Sequence, residues 1–323
     1  MKLAWAAMFL VVAAAGCGGG GEKAPVYTPV SATSNGNVFT LQLGDMKVVI
    51  DGDHGGRVTE LSLFGDNVLV TQDQSHSNYG VTYWPSPQSS WCAAGGACWP
   101  PSAAVDEQVY GGAIDATNTV AVASNTASVG AIPGSTFVVS KWFTPLPDIG
   151  AVDVKYGITN TSPDVSLTLA PWQVARVATG GLTFFGQGSG DVTYAPNSDP
   201  SFAVTEEAGN RWYQSAPVNH DSKLLADGTG WLAHVTPDRL LFLSSAPDIQ
   251  PAEAAPGEAE VELFTNRDFI YVEAEQQGAL VTIAPDELVT WTVRWKLRRV
   301  PGGTPVAAGS AALADFAASV LAE

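Results

Sequence analysis

The chain has 323 residues, 46% of them hydrophobic, and a formal net charge of −17 from 32 acidic against 15 basic side chains. A surface this acidic repels phosphate backbones and anionic headgroups, which excludes nucleic acid and anionic lipid as partners. The length is enough to bury a large core, and all-β chains of this size often fold as one domain, so one domain is expected.

The N-terminus reads as an export signal. Lys2 supplies a positive start, Leu3 to Ala15 is apolar but too short to span a bilayer, and Ala14-Ala15-Gly16-Cys17 places small residues before a cysteine. Residues 1–16 are therefore expected to be a lipoprotein signal peptide and Cys17 the lipid-bearing first residue of the mature chain; the alternative is an ordinary secretory signal cleaved elsewhere. The Gly18 to Gly21 run and the Pro/Ser/Thr/Asn-rich stretch to Asn37 suit a flexible tether over 17–37. The implied location is the cell envelope, facing the periplasm or the cell surface, with the lipid as the only membrane contact. Position 18 is not Asp, which favours the outer membrane where a host has two.

From Val38 onward the chain alternates apolar and polar residues in short runs separated by Gly, Asn, Asp and Pro, the pattern of β-strands joined by turns. Phe39, Leu41 and Leu43 before Gly44-Asp45, and Met46, Val48 and Ile50 after it, predict a two-residue hairpin with all six on one face. A second hairpin is predicted across Gly65-Asp66-Asn67, joining 58–64 to 68–71, and a third across 160–164, joining 152–159 to 165–169. Further strands are predicted at 136–143, 230–235, 240–244, 260–264, 269–275, 279–283 and 289–297. Leu313, Phe316, Ala317 and Val320 behind Ser310 recur at helical spacing, predicting an amphipathic C-terminal helix. The expected fold is all-β, a large two-sheet sandwich over 38–300, followed by a linker and short helix over 301–323.

With Cys17 assigned to lipid, Cys92 and Cys98 remain. An oxidising compartment favours a loop disulfide between them; two free thiols or half a metal site are the alternatives. No second Cys pair or His pair stands at zinc-ligand spacing, and Asp51-Gly52-Asp53 lacks the later ligands of a calcium loop, so no metal or cofactor is expected.

Gly55-Gly56-Arg57-Val58 with Leu61 to Leu69, Val154-Lys155-Tyr156-Gly157-Ile158-Thr159-Asn160-Thr161-Ser162, and Pro285-Asp286-Glu287 with Trp291 to Leu297 resemble, in order and spacing, the galactose mutarotase-like superfamily. The resemblance covers about Val38 to Arg299. It implies a β-supersandwich with a carbohydrate site on one concave face. Tyr83 to Gln88, Trp99-Pro100-Pro101, Pro171 to Arg176 and Gly230 to His234 look more like a bacterial lipoprotein branch of unassigned function than like the epimerases. Aldose 1-epimerases move protons with a glutamate base and a histidine acid. The family's histidine after the Asn-Thr-Ser turn is replaced here by Pro171-Trp172, and an earlier His-Gly has no counterpart between Asn78 and Gly112. The resemblance places Glu273 at the base position.

Period-two geometry puts Tyr271, Glu273 and Glu275 on one strand face, where two carboxylates would raise each other's pKa; the alternative is that they point to solvent. His220, near Asn219, Asp221 and Lys223, is the candidate replacement acid, whereas His234 sits in an apolar strand and reads as a core histidine. Trp84, Trp91 and Trp99 occupy one Pro-rich segment and read equally as a ligand-contacting loop or as a satellite core; Trp172 is a further candidate contact. Arg57 and Arg176, embedded in strands of a cation-poor chain, read as ligand-binding or as structural ion pairs. Three readings follow: a lipid-anchored carbohydrate-binding protein, a sugar epimerase using Glu273 as base, or a non-catalytic structural envelope protein. Catalysis is left open.

Overall fold

The computed structural model describes residues 29–93, 96 and 98–323. The signal peptide, Cys17 and the first part of the tether lie outside the described residues. The chain begins with β1 (Val30–Asn35), β2 (Val38–Leu43), β3 (Met46–Asp51), β4 (Arg57–Leu63), β5 (Asp66–Asn67) and β6 (Val81–Ser86). Helix α1 (Ala103–Asp106), β7 (Gly111–Ile114), β8 (Val120–Ala123), β9 (Phe137–Leu146), β10 (Ala151–Asn160), β11 (Leu167–Ala178) and β12 (Leu182–Gly186) follow. Next come β13 (Thr193–Tyr194), β14 (Thr205–Glu207), β15 (Asn210–Gln214), β16 (Ser222–Ala226), β17 (Trp231–Val235) and β18 (Leu240–Ser245). β19 (Val261–Thr265), β20 (Tyr271–Gln277), β21 (Val281–Ile283), β22 (Leu288–Arg299) and helix α2 (Ala311–Ala322) complete the chain.

The strands build two antiparallel sheets, so the fold is an all-β sandwich with a short C-terminal helix. A twelve-stranded sheet runs β1-β2-β3-β4-β6-β11-β20-β19-β16-β13, with β5 on β4 and β21 on β11. A ten-stranded sheet runs β14-β15-β12-β17-β18-β22-β10-β9-β8-β7. The β2–β3 hairpin forms as its alternation predicts, with Leu43 opposite Met46 and all six apolar residues buried.

Three expectations change. The tether ends earlier than residue 37, because Val30–Asn35 pairs with β2 from Val30 opposite Leu43 to Asn35 opposite Val38. An edge strand needs burial on few positions, so its polar Ser and Thr residues do not prevent pairing. Residues 152–159 and 165–169 do not form a hairpin: β10 lies in the ten-stranded sheet and β11 in the twelve-stranded one. Asn160 makes this an arch, its Nδ2 donating to Val165 O (2.8 Å) and to Ile283 O (2.9 Å) while its Oδ1 accepts from Ser162 N (2.9 Å). The predicted hairpin across Gly65 is cut short: Asp66 and Asn67 pair with Leu63 and Ser62 and Val68 N donates to Leu61 O (3.0 Å), after which Leu69 leaves to bridge Val177 of β11.

Between the sheets, Tyr83 stacks on Tyr156 with ring centroids 4.4 Å apart. Beside them Tyr156 Oη (3.0 Å) and Trp295 Nε1 (2.9 Å) both donate to Gln173 Oε1, and Gln173 Nε2 donates to Ser244 Oγ (3.2 Å). Such a network ties three strands of one sheet to one of the other and leaves few alternatives for register. On the far face of the ten-stranded sheet, α2 buries Leu313, Ala317 and Val320 against Leu182, Phe184 and Leu243. Ser310 caps it by accepting from Leu313 N (3.2 Å), and Lys296 Nζ donates to Val320 O (2.6 Å) at its other end. No helix among the described residues is long and apolar enough to cross a membrane.

Candidate functional site

The central strands β6, β11 and β20 are buried on both faces, although β20 reads Tyr-Val-Glu-Ala-Glu-Gln-Gln. Strand alternation sends Tyr83, Gln173 and Gln276 toward the ten-stranded sheet, and therefore Trp84, Trp172, Arg176, Glu273 and Glu275 to the outer face. There a cleft of about 350 Å³ opens, lined by Asn78, Trp84, Gln88, Trp99, Trp172, Asp221, Lys223, Phe264, Asn266, Tyr271 and Glu273.

Arg176 and Glu273 are register partners on β11 and β20, and Arg176 Nε donates to Glu273 Oε1 (2.9 Å). Arg176 also donates to Thr82 Oγ1 (3.1 Å) and lies 5.1 Å from the Trp84 ring. One step along β20, Glu275 accepts from Trp172 Nε1 (2.8 Å) and lies 3.4 Å from Lys223 Nζ. Lys223, on β16, also contacts Glu262 of β19 and sits 4.8 Å over the Trp172 ring. Burial pushes the carboxyl groups of Glu275 and Glu262 upward; Lys223 pulls both the other way, while repulsion from Glu262 adds to the rise of Glu275 and repulsion from Glu258 to that of Glu262. For Lys223, burial acts to lower the pKa, but Glu275 and Glu262 outweigh it and hold the ammonium above the ordinary lysine value. Burial, with Glu273 adding, pushes the Tyr271 hydroxyl up to about 12.

The Trp-rich segment divides between packing and the cleft wall. Trp91 packs edge-on to Trp84 (5.5 Å) and tilted on Trp172 (5.9 Å), with Nε1 donating to Pro85 O (2.6 Å), so it belongs to a satellite core. Trp99 packs against Trp84 at 5.4 Å yet is 48% exposed on the cleft wall. Cys92 and Cys98 are joined as a disulfide in the loop that carries both rings.

Of the sequence-derived candidates, Glu273, Trp84, Trp99 and Trp172 line one cleft, with Arg176 behind Glu273. Glu275 is fully buried beneath them, and the carboxylate that raises it most is Glu262 of the neighbouring strand, ahead of Glu273. Arg57 is not a cleft residue. It pairs with Asp106 (2.9 Å), lies 4.4 Å from the Tyr79 ring and is 4% exposed; Asp106 in turn accepts from Trp84 Nε1 (2.9 Å). Gly55 and Gly56, both at positive φ, permit this, since a Cβ on Gly55 would lie 2.3 Å from Asp106 O.

His220 does not line the cleft. Asp221 and Lys223 do, whereas His220 is an exposed residue in the bend before β16. His234 is a core residue: Nδ1 meets Thr183 Oγ1 at 2.9 Å, and burial pushes the imidazole down to about 3. Lys223, Asp221 and Glu262 were not among the sequence candidates. A signal existed for Glu262, a carboxylate between Val261 and Leu263 in a run otherwise suited to a buried strand. Among the described residues no group of three or more His, Cys, Asp or Glu side chains is placed to hold a metal ion.

No protein-family model and no curated protein matches the sequence. Solved structures do match. A galactose mutarotase-like protein from Clostridium acetobutylicum is 13% identical, with a TM-score of 0.53 over 85% of this chain and 99% of that one. A galactose 1-epimerase from Lactobacillus acidophilus NCFM is 11% identical, with a TM-score of 0.50 over 85% and 99%. A protein from Synechocystis sp. PCC 6803 is 12% identical, with a TM-score of 0.54 over 85% and 98%. The two sheets thus define a galactose mutarotase-like fold.

Proposed function

We propose that the protein binds carbohydrate in the outer-face cleft and is held at the cell envelope through lipid on Cys17. The observation that carries this reading is the cleft's composition. Trp99, half exposed, offers ring surface for sugar C–H faces, while Asn78, Asn266, Gln88 and Glu273 offer in-plane hydrogen bonds to hydroxyls. The sugar-related solved structures that share the fold support it. A glycan array and a thermal-shift screen of mono- and oligosaccharides test it; no response to any sugar would defeat it. Mass spectrometry of the mature N-terminus tests the anchor, with an unmodified or absent Cys17 as the contrary result.

The epimerase reading keeps one supporting observation: Glu273, which the sequence resemblance implies as the base, lines the cleft. Against it, the cleft lining contains no histidine, and Arg176 engages Glu273 directly. Polarimetry of freshly dissolved aldoses separates the two readings. Acceleration that is lost in Glu273→Gln would establish catalysis.

A further inference from the structure

We propose that the preferred ligand of this cleft is a hexosamine, a sugar carrying a protonated amine; this rests on the carbohydrate reading above. The reason lies in how the charges are matched. The one cation in the cleft lining, Lys223, is already taken by Glu262 and Glu275 together, and Arg176 behind the lining is taken by Glu273. A uronate or a sugar phosphate would meet no unpaired cation there and would approach two carboxylates.

Those carboxylates are in surplus. Arg176 engages only Oε1 of Glu273, whose residue is 8% exposed on the cleft wall. Asp221, also on the wall, forms no ion pair among the described residues; its one hydrogen bond is from Arg267 N (2.9 Å) to Oδ1. Glu273 and Asp221 both line the cleft, together with Tyr271 and Asn266. An ammonium placed there gains charge-assisted hydrogen bonds that a hydroxyl cannot match, and the half-exposed ring of Trp99 is a second attraction for a cation. The net charge of −17 draws a cation in the same direction.

Isothermal titration of the full chain with glucosamine and galactosamine, their N-acetyl derivatives, the parent hexoses and the corresponding uronates tests the assignment. The amines should bind on the order of tenfold tighter than the parent hexoses, about one charge-assisted hydrogen bond, and N-acetylation should erase the gain. Asp221→Asn, an exposed change that the fold should tolerate, and Glu273→Gln should each cut the amine advantage about threefold. Equal binding of hexose and hexosamine, tightest binding of a uronate, or an amine advantage untouched by both variants would overturn the inference while leaving carbohydrate binding in place. Failure of every sugar, amines included, would overturn the carbohydrate reading and this one with it.

Discussion

Arg176 and Glu273 face each other across the β11–β20 register, with Arg176 Nε 2.9 Å from Glu273 Oε1, and Glu273 carries this buried pair to the cleft wall. The pair sits between two tryptophans, Trp84 under the guanidinium and Trp172 two same-face steps back along β11. Cleft shape, cleft charge and sheet stability therefore depend on the same few side chains.

Breaking that pair from one side should be costly. Arg176→Met leaves Glu273 without its counter-ion and should destabilise by about 3–5 kcal/mol, read from urea unfolding. Arg176→Met with Glu273→Gln should recover more than half of the loss. Strictly additive effects would mean that the two side chains are not coupled.

The carboxyl of Glu275 is pushed up to about 8, chiefly by burial, against roughly 4.3 in an unfolded chain. Between those values the folded state holds the extra proton, so this group's contribution is full below about pH 4.3 and is lost as pH rises through 8. Lys141 acts oppositely. It donates to Gly55 O (2.7 Å) and Gly56 O (3.1 Å) and is pushed down to about 7 by burial, so its contribution rises with pH between about 7 and 10.4. The difference between wild type and Glu275→Gln isolates the first effect. The stability of the variant relative to wild type should climb from pH 5 to 8, by at most about 1.4 kcal/mol per pH unit. A flat difference curve from chemical denaturation would show that Glu275 is not protonated in the fold.

Trp99 and Trp172 should separate binding from folding. Trp99→Ala removes a half-exposed ring and should change stability by less than about 1 kcal/mol while weakening sugar binding severalfold in titration. Trp172→Ala empties a buried position over β11 and should cost about 3–5 kcal/mol. Unchanged affinity in Trp99→Ala would remove this ring from the site.

Lys296 should matter for the C-terminal helix more than for the sheets. Its ammonium reaches Val320 O at the end of α2, so Lys296→Met should cost about 1–3 kcal/mol and speed amide exchange in 311–322 well beyond that in β22. Uniform acceleration across both elements would argue that α2 does not open by itself.

Local pattern was enough for the strands whose two faces differ. The β2–β3 hairpin, β9 and the C-terminal helix follow from alternation, turn residues and helical spacing, because each has one apolar and one polar face. The arch at Asn160 was not legible, since an Asn-rich turn between two apolar runs is the same in sequence whether the runs pair or part. Its direction is set by carbonyls from Val165 and Ile283, one of which lies over a hundred residues away.

Residue type and period two alone determined that Glu273 and Glu275 share a face, that a Trp-rich loop carries Cys92 and Cys98, and that the protein is strongly acidic. Only the tertiary structure decided which of those groups meet. It placed Lys223 between two carboxylates from neighbouring strands, turned Arg57 away to Asp106, and left His220 outside the cleft. Charge matching across strands is a long-range property, because sheet order and not sequence distance brings β16, β19, β20 and β11 side by side.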